Sequence, residues 1–435
     1  MKKNTVLLNL FWQILDKVIL LVLQFFVGVK IANYFGKEVY GVYSYALSLV
    51  IFSEIIYELF NKRIIILYFL KRKNIKILKI ASYFKTILSV VFLITIIISK
   101  HFFEDINLYL ILILLSFSIV FKNMTFFYEV YYEATLNSKP FVLIVNIIKI
   151  ISYISQYIII IFYKNIIFIP LIMIIENIIK VIFLKIFFYQ CYNPKNKIRK
   201  IKYKYLKVFI INIIKKSFYF WIGYIYFLVF TQIDKIMIGN MMDKSEVGIY
   251  SIAVQLTNVL AIIILPIQNT LYPVLLREKN KEVYIKKWQY FNTLITYFYL
   301  IITLLSFPVL KYSFSFVFSK EYSEAIYIYY LLSISVFLKA NACLRMSYIT
   351  LFNLGNLIVK LSITGIILNI SLNYFFIKNF GIRGAAVATV ITQFLTGNIL
   401  YSLFKNGKII TKIQLNSLDI RNFWRKNEDI TFGKF

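Results

Sequence analysis

Gly41-Val42-Tyr43-Ser44-Tyr45-Ala46 returns later in the chain as Gly248-Ile249-Tyr250-Ser251-Ile252-Ala253, each copy following one apolar segment and opening the next. The copies stand 207 residues apart (248 against 41) in a chain of 435. A spacing so near half the length is what tandem duplication of one structural unit produces. Two parallel repeats in an apolar chain imply a transporter that handles its substrate between like halves.

Working outward from the repeat, the chain is 60% hydrophobic and 16% charged, with mean hydropathy +0.75. A soluble domain could not bury that much apolar surface, so the solvent must be lipid. Each bilayer pass takes about 20 mostly apolar residues. Such segments run near Val6 to Val29, Gly41 to Phe60, Ala81 to Ile98, Leu108 to Phe127, Phe141 to Phe162 and Ile166 to Phe187. A second set runs near Phe218 to Ile238, Gly248 to Leu271, Phe291 to Leu310, Ala325 to Leu344, Leu357 to Ile377 and Gly384 to Phe404. The expected protein is an all-α polytopic membrane protein of about 12 transmembrane helices in two six-helix bundles. Its expected divisions are 1–205, 206–405 and a cytoplasmic tail, 406–435. The first segment is too long, and too close to Asp16, for a cleavable signal peptide, so it is expected to be retained.

The formal charge of +31 invites a nucleic-acid reading, and its placement argues against one. Lys and Arg gather in alternate loops, from Lys62 to Lys79, from Lys195 to Lys216, from Arg277 to Lys287 and after Lys405, while the intervening loops are short and mixed. This positive-inside pattern puts both termini in the cytoplasm and leaves the surplus charge to face anionic lipid headgroups. Of the 50 basic residues 42 are Lys, beside abundant Ile, Asn, Phe and Tyr, a bias that an AT-rich genome also produces. No nucleic-acid partner is expected.

Enzymatic chemistry lacks its materials. The single histidine, His101, falls in an outer loop, and Cys191 and Cys343 lie far apart. No metal cluster or Cys/His nucleophile pair can be assembled from these, and no GxxxxGK[ST] loop is present to cradle a nucleotide. An ion, potential or substrate gradient must supply the driving force, and no cofactor is expected.

The informative residues are the ionisable ones inside the spans, because charge at mid-bilayer costs roughly 2.5 to 3.5 kcal/mol or more and normally faces a bundle interior or a wet cavity. Asp16 and Lys17 sit near the middle of the first helix, Glu54 and Glu58 share a face of the second, Lys149 lies in the fifth, Glu176 and Lys180 in the sixth, Asp234 and Lys235 in the seventh, and Lys339 in the tenth. Duller readings stand beside the functional one. Glu176 and Lys180 have the spacing and order of a local helix pair. Glu58, Lys185 and Lys360 are placed to snorkel, and Asp234 with Lys235 to meet outer headgroups. The aromatic excess, 19% of residues, fits interface belts and packing as well as a sugar platform.

The run Thr231 to Gly239 (TQIDKIMIG), followed by Glu246 to Ala253, resembles the middle signature of bacterial polysaccharide flippases of the MOP (MATE-like) superfamily. Leu372-Asn373-Tyr374 with Gly381 to Thr389 resembles the start of their last helix. Trp12, Asp16, Lys17, Tyr34 to Gly36, Tyr40 to Ala46 and Phe318 to Ala325 fit as well. The resemblance is weakest from Ile64 to Tyr205.

The resemblance implies a two-bundle transporter carrying an undecaprenyl-diphosphate-linked oligosaccharide repeat unit across the cytoplasmic (inner) membrane of a bacterium, with membrane lipids and a polysaccharide polymerase as conceivable partners. On that expectation Lys17, Lys149, Lys339 and Lys235 are candidates for holding the diphosphate and glycan, and Asp16, Glu54 and Asp234 for carrying a coupling proton or sodium ion. The pairs Asp16-Lys17 and Asp234-Lys235 are not equivalent by duplication, since Asp234 falls opposite Val27 in the 207-residue register. The rivals are a MATE-type drug or cation antiporter, a lipid II flippase, and a membrane glycan polymerase or acyltransferase. The last of these lacks its large outer loop or membrane histidine.

Overall fold

The computed structural model describes residues 3–72, 74–191, 203–278, 280–419 and 421. The side chain of Lys17, the basic run from Lys195 to Lys202 and half of the 406–435 tail lie outside the described residues.

The first half of the chain forms α1 (Lys3–Phe52), α2 (Glu54–Tyr57), α3 (Lys62–Arg72), α4 (Lys76–Ile98), α5 (Ile106–Met124), α6 (Phe126–Ala134), α7 (Ser138–Tyr163) and α8 (Phe168–Cys191). The second continues with α9 (Tyr203–Met241), α10 (Lys244–Ala261), α11 (Ile264–Leu276), α12 (Lys281–Val317), α13 (Ala325–Asn341), α14 (Arg345–Leu351), α15 (Gly355–Phe394) and α16 (Lys408–Asn416). No strand occurs among the described residues. The outer surface explains the composition. Phe26, Ile98, Phe162 and Phe316 are 65%, 73%, 75% and 89% exposed, which is tolerable only against acyl chains.

Nine segments of the described residues are long and apolar enough to cross a membrane. Two of them must cross twice. Val18–Lys71, which runs from α1 through α2 and α3, and Gly355–Leu403 contain 54 and 49 residues, about 80 and 70 Å at helical rise against a hydrocarbon core of about 30 Å. Each is broken at a glycine in the left-handed region, Gly36 at φ 72° and Gly381 at φ 60°, where a side chain would be strained. A further pass is α8, whose Glu176, Lys180 and Lys185 interrupt an otherwise apolar 24 residues. The sequence expectation of about twelve passes follows.

The chain divides into two compact units, Met1–Leu228 and Val229–Phe435. In the first, α5 is central, packing against α1, α4 and α8, and α7 packs on α1 and α8. In the second, α13 is central, against α10, α12 and α15. The change of unit falls inside α9 rather than in the basic loop before it. Trp221 Nε1 donates to the Ile55 carbonyl at 2.8 Å, and the Tyr224 hydroxyl donates to Glu54, so the early part of α9 belongs with α2. The start of the expected tail is folded: α16 packs on α12, with Ile410 and Ile413 buried. Beneath it the Ser417 hydroxyl accepts from Asn292 at 3.1 Å and Asn341 at 2.7 Å and donates to the Gln414 carbonyl at 2.6 Å.

Candidate functional site

Nearly every candidate acid in the described spans has a specific partner, which physics demands of charge in low dielectric. In the first unit, Asp16 on α1 meets Lys149 on α7, with Lys149 Nζ 3.4 Å from the carboxylate and both side chains mostly buried. This joins one residue from the substrate candidates to one from the ion candidates. Glu54 on α2 accepts from Lys122 on α5 at 2.9 Å and from Tyr224 on α9. Glu58 pairs with the buried Lys85 on α4, whose ammonium also sits 4.1 Å above the Phe126 ring. Glu54 and Glu58, neighbours by helix spacing, are thus held by lysines from different helices, and neither Lys85 nor Lys122 was legible as a partner in the sequence.

Glu176 and Lys180 form the local pair that their spacing suggests. The carboxylate also accepts from Ser152 on α7 at 2.6 Å, and Gln156 Nε2 approaches the Ser152 hydroxyl at 3.4 Å. A helix pair has thereby become an interhelical polar network between α7 and α8. Ser152 and Gln156 carry no charge, so a search for membrane charges passes over them; their i,i+4 spacing on an apolar helix is the signal that was available.

The second unit holds a different arrangement. Asp234 on α9, 4% exposed, has no lysine bridging it among the described salt bridges and instead collects three neutral donors. The Tyr250 hydroxyl on α10 donates at 2.6 Å, Thr389 Oγ1 on α15 at 2.6 Å, and Asn373 Nδ2, also on α15, at 2.9 Å. Tyr250 belongs to the repeated motif, and Asn373 and Thr389 to the last family-like stretch. The motif residues that carry the resemblance therefore converge on one carboxylate. Three charge-assisted hydrogen bonds stabilise the anion against burial. Around it, buried oxygens lack donors: Asn369 Oδ1, Asn373 Oδ1 and Thr392 Oγ1 have no hydrogen-bond partner, with Asn369 and Asn373 one turn apart on α15 and Thr392 one turn from Thr389. Lys235, adjacent in sequence, is half-buried.

Lys339 behaves unlike the rest. It lies on the face of α13 that carries buried Leu332, Ser335 and Val336, at positions i−7, i−4 and i−3, yet is itself exposed and forms no salt bridge among the described residues. It stands in the last turn of α13. Arg345 on α14 is spent structurally, donating to the Gly397 carbonyl at 3.1 Å and lying 5.3 Å from the Tyr401 ring. No group of three or more His, Cys, Asp or Glu able to hold a metal occurs among the described residues.

A helical membrane protein with two compact units, two long segments each broken at a glycine, and charges paired within the units defines a polytopic α-helical architecture. Its fold is similar to that of solved membrane proteins, one of them described as a transporter of the MOP superfamily. The chain resembles the lipid II flippase MurJ in an inward closed conformation, with TM-score 0.70 and 15% identity over 98% of this chain and 93% of the other. It also resembles an inward-facing multidrug resistance MATE transporter, with TM-score 0.56 and 12% identity over 94% and 96%. The model of the family described as "Polysaccharide biosynthesis protein" matches residues 6–279, more than half of the sequence, and the chain belongs to that family. A curated relative, the probable low-salt glycan biosynthesis flippase Agl15 of Haloferax volcanii, is 23% identical over 228 residues, 52% of this chain. The match spans 46% of that relative's length.

Proposed function

We propose that this protein is a transporter, not an enzyme, that moves undecaprenyl-diphosphate-linked oligosaccharide repeat units across the bacterial cytoplasmic membrane by alternating access. The observation that carries the reading is membership of the polysaccharide biosynthesis family over residues 6–279; the similarity to Agl15, a probable glycan biosynthesis flippase, supports it. In this reading Lys17, Lys149, Lys235 and Lys339 are the candidate point charges for the diphosphate, each within its own unit. Lys149 would be offered to substrate only as its contact with Asp16 gives way.

The coupling cation is assigned to Asp234 ahead of Asp16 and Glu54. Asp16 and Glu54 are salt-bridged to lysines, whereas Asp234 is hydrogen-bonded by three neutral donors, with Lys235 as its adjacent cation but no salt bridge among the described residues and buried oxygens lacking donors nearby. A proton or a sodium ion entering there would complete the charge balance. The positive-inside distribution of basic loops supports cytoplasmic termini. Association with a polymerase stays a secondary expectation.

The test is the lipid-linked glycan pool of a deletion strain, labelled with radioactive sugar and read beside surface polysaccharide. Accumulated diphosphate-linked repeat units with lost surface polymer support the proposal. A lethal deletion with defective peptidoglycan transfers the function to lipid II, the cargo named for the MurJ structure. An unchanged pool with new sensitivity to cationic drugs makes the protein an antiporter.

A further inference from the structure

Lys30 is a further cation with no salt bridge among the described residues, and it lines a cleft. In α1, Lys30, Asn33 and Tyr34 stand at i, i+3 and i+4; in α7, Tyr157, Ile160 and Ile161 repeat that spacing. The two faces line an open cleft of about 230 Å³, with Ile160 at its buried floor and Lys30 exposed at its rim. Lys30 forms no salt bridge among the described residues. Its ammonium instead lies 5.8 Å from the centre of the Tyr157 ring, a contact that compensates only part of a cation's hydration. Lys30 lies six residues before the break at Gly36, and Tyr157 six before the end of α7 at Tyr163. Both are therefore about 9 Å inside their helix ends. On the topology set by the basic loops these are the outer ends, which places the cavity at or just beneath the outer phosphate layer.

We infer that this α1/α7 cavity binds the phosphate group of a lipid at the outer side of the membrane. An exposed cation beside an aromatic ring, with no salt bridge among the described residues, presents point charge to a phosphate. An amide at Asn33 and a phenol at Tyr34 add hydrogen-bonding groups and a ring against which a sugar can stack. The volume is below the roughly 300 Å³ at which pockets begin to enclose whole drug-sized ligands, so the site suits a headgroup phosphate with one attached residue and not an oligosaccharide. Two sources share this chemistry: the diphosphate of a polyprenyl-linked glycan, for which the cavity is an exit station and which rests on the flippase reading, and the phosphate of a bulk phospholipid, which does not. Asp16 and Lys149 lie on the same two helices, but nearer the other end by about 21 and 12 Å along their axes. The cavity is therefore a site distinct from that pair.

The experiment uses the full chain in phosphatidylcholine nanodiscs, titrated separately with undecaprenyl diphosphate and with phosphatidylglycerol, and read by native mass spectrometry. Lys30→Met keeps the stem and removes the charge, Lys30→Arg restores it, and Tyr157→Leu removes the ring; thermal midpoints confirm folding of each. Undecaprenyl diphosphate binding about tenfold weaker in Lys30→Met and recovered in Lys30→Arg, with phosphatidylglycerol unaffected, establishes the exit station. Equal loss for both lipids establishes the phosphate site and assigns it to bulk lipid, leaving the flippase reading untouched. Binding of both lipids unchanged in a folded Lys30→Met protein overturns the inference.

Discussion

Replacing Asp234 by Ala should separate a structural anion from an ion site, and the geometry fixes how large the effect must be. Two of its three donors keep fallbacks: Thr389 Oγ1 also reaches the Ala385 carbonyl at 3.1 Å, and Asn373 Nδ2 the Asn369 carbonyl at 3.0 Å. The Tyr250 hydroxyl, in a fully buried side chain, loses its carboxylate outright. A buried hydroxyl deprived of its acceptor costs about 1–3 kcal/mol, and each charge-assisted bond contributes about 1.5–3 kcal/mol. Relief of burying an anion offsets part of this. The net loss for Asp234→Ala should be about 2–4 kcal/mol, seen as a lower thermal midpoint in detergent. Asp234→Asn should cost about 1 kcal/mol or less, because its oxygen can keep Tyr250 and Thr389 while Asn373 turns its unpartnered Oδ1 toward the new amide. The decisive comparison is the midpoint with and without sodium, and at two pH values. A cation that binds only the folded protein at a hundred times its dissociation constant adds about 2.7 kcal/mol. Wild type should therefore gain stability from sodium or from protons, and Asp234→Asn from neither. An Asp234→Asn protein that retains the full ion response refutes the assignment, and an Asp234→Ala protein as stable as wild type refutes the account of the hydrogen bonds.

Lys339→Ala should reduce transport at least tenfold while leaving the midpoint unchanged, since its side chain is exposed and unbridged; Lys149→Ala should lower both, because it strips Asp16 of a lysine at 3.4 Å, and equal midpoints for the two variants would contradict this. Lys85→Ala should destabilise by about 3 kcal/mol by leaving Glu58 without its buried partner, with Lys85→Ala/Glu58→Gln recovering most of the loss in a double-mutant cycle. Ser417→Ala should cost about 1–3 kcal/mol because Asn292 and Asn341 lose a shared acceptor. Truncation after Lys405 should cost more, by uncovering the seat of Ile410 and Ile413, and an unaltered melting curve of the truncated chain would show that α16 is dispensable.

Particular residues show where reading the sequence succeeds and where it stops. The repeat at Gly41 and Gly248, and the helix break beside Gly381, stand out because they are local patterns with a period or a turn requirement. Glu176 and Lys180 were legible as a pair because four residues on a helix fix their distance. Asp16 with Lys149 was legible only as two separate costs of burial; a separation of 133 residues carries no distance until α1 packs on α7. Asp234 was placed equally well at outer headgroups by its position in the chain, and only the approach of Tyr250, Asn373 and Thr389 from α10 and α15 shows it buried. Lys30 escaped notice because it lies one residue beyond the apolar run ending at Val29, where a lysine is expected to snorkel.

The sequence by itself determined the solvent, the helical class, the number of passes and the family, because those follow from apolar content, from periodicity and from short motifs that each lie within a few turns of chain. Tertiary structure decided which charges are neutralised, which acid is held by neutral donors, where the units divide within α9, and that α16 is folded onto α12. The physical reason is that the energy of a buried charge is set over a few ångströms by whatever atoms surround it, and in a bundle those atoms come from helices far apart in the chain.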